Sequence, residues 1–361
     1  MTPGAGATPD RGFLDDWLEQ RLHTRPLLAA LLHVRVPRTA KTFYLGGITL
    51  FLFGVQVVTG TLLALYYKAT PDGAYESVRF ITSDVSFGWL IRSIHHWAAN
   101  LMILFLVLHL LRVFVQAAYK FPRELTWLVG VGLLGVTMVF GFTGYLLPWD
   151  QKAFWATTVG TEIAGSMPII GDQILLLLRG GADVGEATLT RFYGIHVLVL
   201  PIVLALLTVL HLTFVHQTGL ADPTRPEPRH PRPDATPNET PTLPFFPNYI
   251  LDEIIAWYAL LAVLVVIATL FPAGLEAQAD PLLTPEHIKP EWYFLGLYEA
   301  LKHVPRIVGI LALPVGVLVL AVWPFFDRGP EVRPRKRLLP LLAAALVLLV
   351  MVGLTIWGLV S

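Results

Sequence analysis

An all-α integral membrane protein with seven transmembrane helices is what this 361-residue sequence dictates. It is 55% hydrophobic and only 14% charged, with a mean hydropathy of +0.62, whereas soluble domains carry about 25% charged residues. Apolar runs long enough to cross about 30 Å of hydrocarbon occur at about 44–66, 89–117, 127–147, 191–215, 250–271, 306–325 and 339–360. Four histidines lie inside two of these runs at matched spacing: His95 and His109 are fourteen residues apart, His196 and His211 fifteen.

Residues 1–43, before the first span, are polar and mixed in charge, without the basic start, apolar stretch and small-residue site of a cleavable signal. Asp15, Asp16, Glu19, Arg21 and Arg25 among Leu14, Trp17, Leu18, Leu22 and Leu27 suggest an amphipathic helix on the membrane surface. The segment 44–216 then holds four spans. Gly46 and Gly60 lie fourteen apart in the first, and Gly130 and Gly144 fourteen apart in the third. Residues 217–249 carry Pro223, Pro226, Pro228, Pro231, Pro233, Pro237, Pro241 and Pro244 among charges, which reads as a linker. A three-helix module, 250–361, completes the chain.

In an α-helix each histidine pair lies on roughly one face, separated by about 21 to 23 Å. That makes two ligand levels within one bilayer. Imidazole suits an iron held between two axial ligands, so two such helices side by side could hold two haems stacked across the membrane. A single histidine on an apolar helix is usually a packing residue, but ionisable groups inside membranes tend to be functional, and here two matched pairs coincide. The glycines share the spacing, and a missing Cβ at each level would admit a porphyrin edge. Taken alone they could equally be close helix contacts. His96 adjoins His95 but points about 100° away, which leaves His95 as the better ligand. Arg92 and Arg112, one turn from His95 and His109, could meet haem propionates or simply snorkel to the membrane surface. The chain has no Cys, which excludes disulfides, thiolate-bound metal and thioether-linked haem.

Charge fixes a direction. The formal net charge is zero, which gives no footprint for nucleic acid. With a cytoplasmic N-terminus, 17 of the 26 Lys and Arg residues fall on the cytoplasmic side, including Arg35, Lys41, Arg112, Lys120, Arg123 and Arg328 to Arg337. The positive-inside rule therefore puts the N-terminus in the cytoplasm and the C-terminus outside. Both histidine helices then run inward, pairing His95 with His196 near the outer face and His109 with His211 near the inner face.

Between the fifth and sixth spans lies Pro290-Glu291-Trp292-Tyr293. Glu291 could be a first-turn helix carboxylate. Flanked by aromatic residues at the membrane surface, it could also accept a proton from an apolar hydroxylated ring.

Several runs together resemble cytochrome b of the quinol-oxidising cytochrome bc complexes: GWLIRSIHHW (88–97), LHLLR (108–112), PRELTW (122–127), GYLLPWDQ (144–151), LLRGGADVGEATLTRFYGIH (177–196), LPIVLALLTVLH (200–211) and PEWYF (290–294). The resemblance covers about residues 14–358. It is strongest to the bf-type branch, whose four-helix cytochrome and three-helix subunit IV are separate chains but here would be fused. The run from Leu212 to Gly219 is closer to the respiratory type. The resemblance implies two non-covalent b haems, the low-potential outer one on His95 and His196 and the higher-potential inner one on His109 and His211. It implies an outer quinol site at Glu291, Tyr145 and the 148–165 loop helix, and an inner quinone site near His216 with Asp252 or Glu253. It further implies a Rieske-type iron–sulfur protein and a c-type cytochrome as partners, a homodimer embedded in membrane lipid, and a bacterial plasma membrane as location. Phe43-Tyr44-Leu45-Gly46 lacks the Cys that ties an extra haem in the bf branch, which argues against a third haem. Two other classes compete. A di-haem anchor would relay electrons between quinone and a soluble dehydrogenase, and a cofactor-free transporter would use the histidines as proton relays.

Overall fold

Among the described residues, seven helices are long and apolar enough to cross a membrane. The computed structural model describes residues 13–23, 34–38, 44–222, 241–286 and 288–361. The spans are α2 (Leu45–Ala64), α4 (Gly88–Val115), α5 (Glu124–Tyr145), α8 (Glu186–Thr218), α9 (Phe245–Leu270), α11 (Arg306–Phe326) and α12 (Leu338–Val360). Shorter helices decorate them: α1 (Phe13–Leu22), α3 (Pro71–Ser83), α6 (Gln151–Gly165), α7 (Gly171–Arg179) and α10 (Trp292–His303). Leucines such as Leu339, 82% exposed, and Leu349, 69% exposed, face outward from α12. In water that surface would be untenable; against lipid tails it is ordinary.

Local chemistry sets the shorter elements. Pro71 opens α3 at a position whose N–H needs no partner. Asp150 caps α6, its carboxylate accepting from the Ala153 N–H at 2.9 Å. Gly180 ends α7 with φ of 75°, a left-handed residue that glycine adopts without strain. Glu291 stands just before α10, at its N-cap position, rather than in the first turn as the proline suggested, and its side chain caps nothing there.

α2 packs on α4, α8 on α5, and α9 on both α4 and α2. Leu52, Ala98, Met102, Leu204 and Leu264 form the core between these helices. Residues 223–240, most of the predicted linker, lie outside the described residues, as do 1–12, 24–33 and 39–43 of the N-terminal segment. The linker reading fails for its last residues. Thr242–Pro244 pairs as an antiparallel strand (β2) with Arg35–Pro37 (β1), and Phe245–Tyr249 is the kinked start of α9, with Phe246 in a non-helical conformation.

Two polar seams join the four-helix part to the rest. At the end nearest His109, called inner below, Lys120 donates to Asp327 Oδ1 at 2.7 Å and to the Gly329 and Glu331 carbonyls, both at 2.9 Å. The fully buried Tyr119 donates to Asp327 Oδ2 at 2.5 Å, and Arg337 reaches the same oxygen at 3.1 Å. At the outer end Arg92 donates to the Ala273 and Gly274 carbonyls at 2.7 and 2.6 Å, and Trp97 to that of Phe271 at 2.7 Å. The loop after α9 is thereby held on the start of α4.

Burial pushes the Asp327 carboxyl up, but the bonds from Lys120 and Tyr119 outweigh it and hold the group below the ordinary carboxylate range. A depressed value means that the inner seam is fully stabilising above about pH 4 and is lost as pH falls through the folded-state value. Asp327→Ala would leave Lys120 and Arg337 without their counter-ion. The expected cost is about 2 kcal/mol, less than the 3–5 of a fully buried pair because the Asp327 side chain is 20% exposed. The thermal midpoint in detergent should fall at pH 7, and the gap to the wild type should close as the pH drops below about 4. An unchanged midpoint at pH 7 would deny the seam its role.

Candidate functional site

The four histidines stand where the second and fourth of seven alternating spans cross the membrane in the same sense. His95 and His196 face each other, ring centroids 6.5 Å apart and planes at 68°. Two imidazole–metal bonds of about 2 Å and two ring radii of about 1 Å put centroids about 6 Å apart, so this gap suits one metal ion between the rings. The fifteen-residue spacing of the second pair has a structural answer. In straight α-helix the extra residue would turn the second imidazole about 100° too far. Here Ile195–Val199 is a π turn in which the Leu200 N–H bonds the Ile195 carbonyl, five residues back. Pro201, with no N–H to give, follows at once. The bulge absorbs the added residue at His196 itself.

The glycines sit against the imidazoles. A Cβ on Gly60 would come 3.1 Å from His95 Cε1, and one on Gly144 2.5 Å from His196 Cε1; on Gly46 and Gly130 the distances to His109 and His211 are 3.3 and 3.4 Å. Each glycine thus clears the space that an imidazole ring occupies.

A cavity of about 610 Å³ opens at the outer level, lined among others by Gly60, His95, His196, Tyr145, Lys152 and Glu291. Lys152 lies 3.3 Å from Glu291 Oε1 and 5.6 Å from the Tyr145 ring centroid. The Tyr145 hydroxyl is buried and, among the described residues, has no hydrogen-bond partner. It is available to a guest. Burial, aided by Glu291, raises Tyr293 and keeps it a neutral hydroxyl. Trp292 donates to Asn100 Oδ1 at 2.7 Å, tying Glu291's neighbour to α4. Arg92 also lines the cavity, and two of its five N–H donors go to the two loop carbonyls.

At the inner end Tyr44 donates to Asp252 Oδ2 at 3.1 Å, and burial together with this bond pushes the Tyr44 phenol up to about 12. Glu253 is buried with its carboxylate against Gly47, where any Cβ would overlap it. That places it one residue from the glycine backing His109. Arg112 lies near Tyr249, and His216 is exposed near the end of α8. Sequence reasoning singled out neither Lys152 nor Asn100. It also passed over Thr59 and Thr143, each immediately before an outer-level glycine; that repeated Thr-Gly pair was the available signal.

Fold and site together define a polytopic helical membrane protein built around two levels of histidines on neighbouring spans. Residues 32–219 match the family model described as cytochrome b/b6/petB, and residues 278–361 match cytochrome b(C-terminal)/b6/petD. The chain belongs to the cytochrome b/b6 family. It is 39% identical over 324 residues to the cytochrome bc complex cytochrome b subunit of Chlorobaculum thiosulfatiphilum, covering 86% of this chain and 73% of that one. Its first part is 46% identical over 209 residues to cytochrome b6 of Prochlorococcus marinus (strain MIT 9303), covering 58% of this chain and 96% of the relative. A solved structure titled hyperthermophilic respiratory Complex III superposes with a TM-score of 0.86 at 34% identity, covering 95% of this chain and 90% of that one. The family binds haem b, and the paired imidazoles, glycine clearances and adjoining cavity fit that group.

Proposed function

We propose that this chain is the cytochrome b subunit of a bc-type complex that oxidises quinol at the outer face and reduces quinone at the inner face. One observation carries the reading: the outer cavity brings a candidate electron entry point, the His95 and His196 pair, together with a candidate proton acceptor, Glu291. Quinol oxidation needs both beside one substrate. In this reading His95 and His196 would hold the outer haem and His109 and His211 the inner one, and the bound group would supply one-electron redox chemistry at each level.

Glu291 takes a proton from a quinol hydroxyl, and Lys152 steadies its carboxylate until the substrate arrives. Tyr145 offers its unpaired hydroxyl to the substrate oxygen. One electron leaves for a Rieske-type iron–sulfur protein, and from there reaches a c-type cytochrome; the other crosses to the inner level. Glu253 supplies protons to quinone there, while Asp252, held by Tyr44, and His216 assist. Residues 44–216 and 250–361 act as two modules of one catalytic unit, in a homodimer, with the N-terminus in the cytoplasm of a bacterium.

The test uses the complex purified from its native membrane. Its reduced-minus-oxidised spectrum should show two b haems per chain, and quinol should reduce a c-type cytochrome in a reaction that releases protons. A di-haem protein that passes electrons to no c-type acceptor would turn the reading toward an anchor subunit, and a colourless protein would end it.

A further inference from the structure

The two histidine levels differ in one respect that the family assignment does not explain. At the outer level each imidazole Nδ1 meets a threonine hydroxyl: Thr59 Oγ1 lies 2.9 Å from His95 Nδ1, and Thr143 Oγ1 lies 3.1 Å from His196 Nδ1. Each hydroxyl has one proton, and each already donates it to its own helix, Thr59 to the Val55 carbonyl at 2.7 Å and Thr143 to the Val139 carbonyl at 2.9 Å. Toward the imidazole both can only accept. Nδ1 must therefore carry the ring proton, which leaves Nε2 as the lone-pair nitrogen at both outer histidines. The Phe140 carbonyl, also close to His196, can only accept and points to the same tautomer.

Among the described residues, the inner level lacks this device. Leu45 and Val129 take the places of the threonines before Gly46 and Gly130. His109 Nδ1 and His211 Nδ1 are buried, and among the described residues no side chain bonds either; His211 has only the Thr126 backbone carbonyl nearby.

We propose that Thr59 and Thr143 are positioning residues that set the outer haem's reduction potential below the inner one's. The inference rests on the haem ligation proposed above. A hydrogen bond from Nδ1–H to an oxygen moves electron density toward Nε2, making the imidazole a stronger donor that favours the oxidised metal. Two such bonds at the outer level, and among the described residues none from a side chain at the inner one, bias electron flow inward. The bonds also lock ring orientation, since each hydroxyl is fixed by its own helix.

Thr59→Val and Thr143→Val keep the side-chain shape and delete only the hydroxyl. Redox titration of the purified complex, followed by haem absorbance and low-temperature EPR, should show the lower-potential haem moving up by about tenfold in its redox equilibrium per variant, about 59 mV for one electron. Its EPR signal should change while that of the other haem stays fixed. Thr59→Ser and Thr143→Ser should restore both. If a valine variant loses its outer haem outright, the serine variant must retain it for the proposal to stand. Two haems with unchanged potentials in both valine variants, or a shift confined to the higher-potential haem, would overturn the proposal. Absence of two b haems in the wild type would instead overturn the reading beneath it.

Discussion

His196→Ala and His211→Ala should each reduce the haem content from two per chain to one and abolish quinol oxidation. The two losses should be distinguishable. His196 faces His95 across 6.5 Å, so its removal leaves His95 without the imidazole opposite it. His211 backs onto Gly130 at the other level, and its removal leaves the outer pair, His95 and His196, untouched. Spectra of the two variants should therefore lose different components, the lower-potential one in His196→Ala and the higher-potential one in His211→Ala. Each chain should still insert, because one side chain changes little in the hydropathy of α8. Loss of both haems from both variants, with the chain still inserted, would mean that the levels are not independent sites. Retention of both would remove these histidines as ligands.

The spans and the histidine levels were legible in the sequence for a physical reason. Lipid imposes a length and a composition on every crossing segment, and a helix imposes about 100° per residue on everything it carries. The predicted 127–147 and observed Glu124–Tyr145 differ by about a turn at most. What escaped was chemistry that depends on elements meeting. Thr59 and His95 lie 36 residues apart, Thr143 and His196 53 apart, and neither threonine looks unusual on its own helix. The π turn at His196 was hidden as well, since only the mismatch between fourteen and fifteen hints at it. Arg92 has a partner that spacing could not show: the loop after α9 folds back to present two carbonyls to it. Helices α3 and α7 went unread because, at 13 and 9 residues, they are too short for the membrane criterion.

Glu291→Gln tests the proton side of the same cavity. The amide keeps the size and position of the side chain and cannot take a proton near neutral pH. Turnover of quinol should fall by about 10²- to 10⁴-fold, the usual contribution of a positioned general base. Haem content should not change, because Glu291 stands on a different element from His95 and His196 and none of the four histidines bonds to it. If the carboxylate acts in the transition state alone, kcat and kcat/KM should fall together; a rise in KM with kcat preserved would make it a binding group instead. The ion pair with Lys152 complicates the interpretation, since Glu291→Gln also leaves that ammonium without its partner at 3.3 Å. Lys152→Met separates the two effects. If the damage came only from an orphaned lysine, combining Lys152→Met with Glu291→Gln would restore activity. A general base predicts that the double variant stays as slow as Glu291→Gln, while Lys152→Met alone keeps most of its turnover. Single-variant turnover within about twofold of the wild type would take Glu291 out of the proton path.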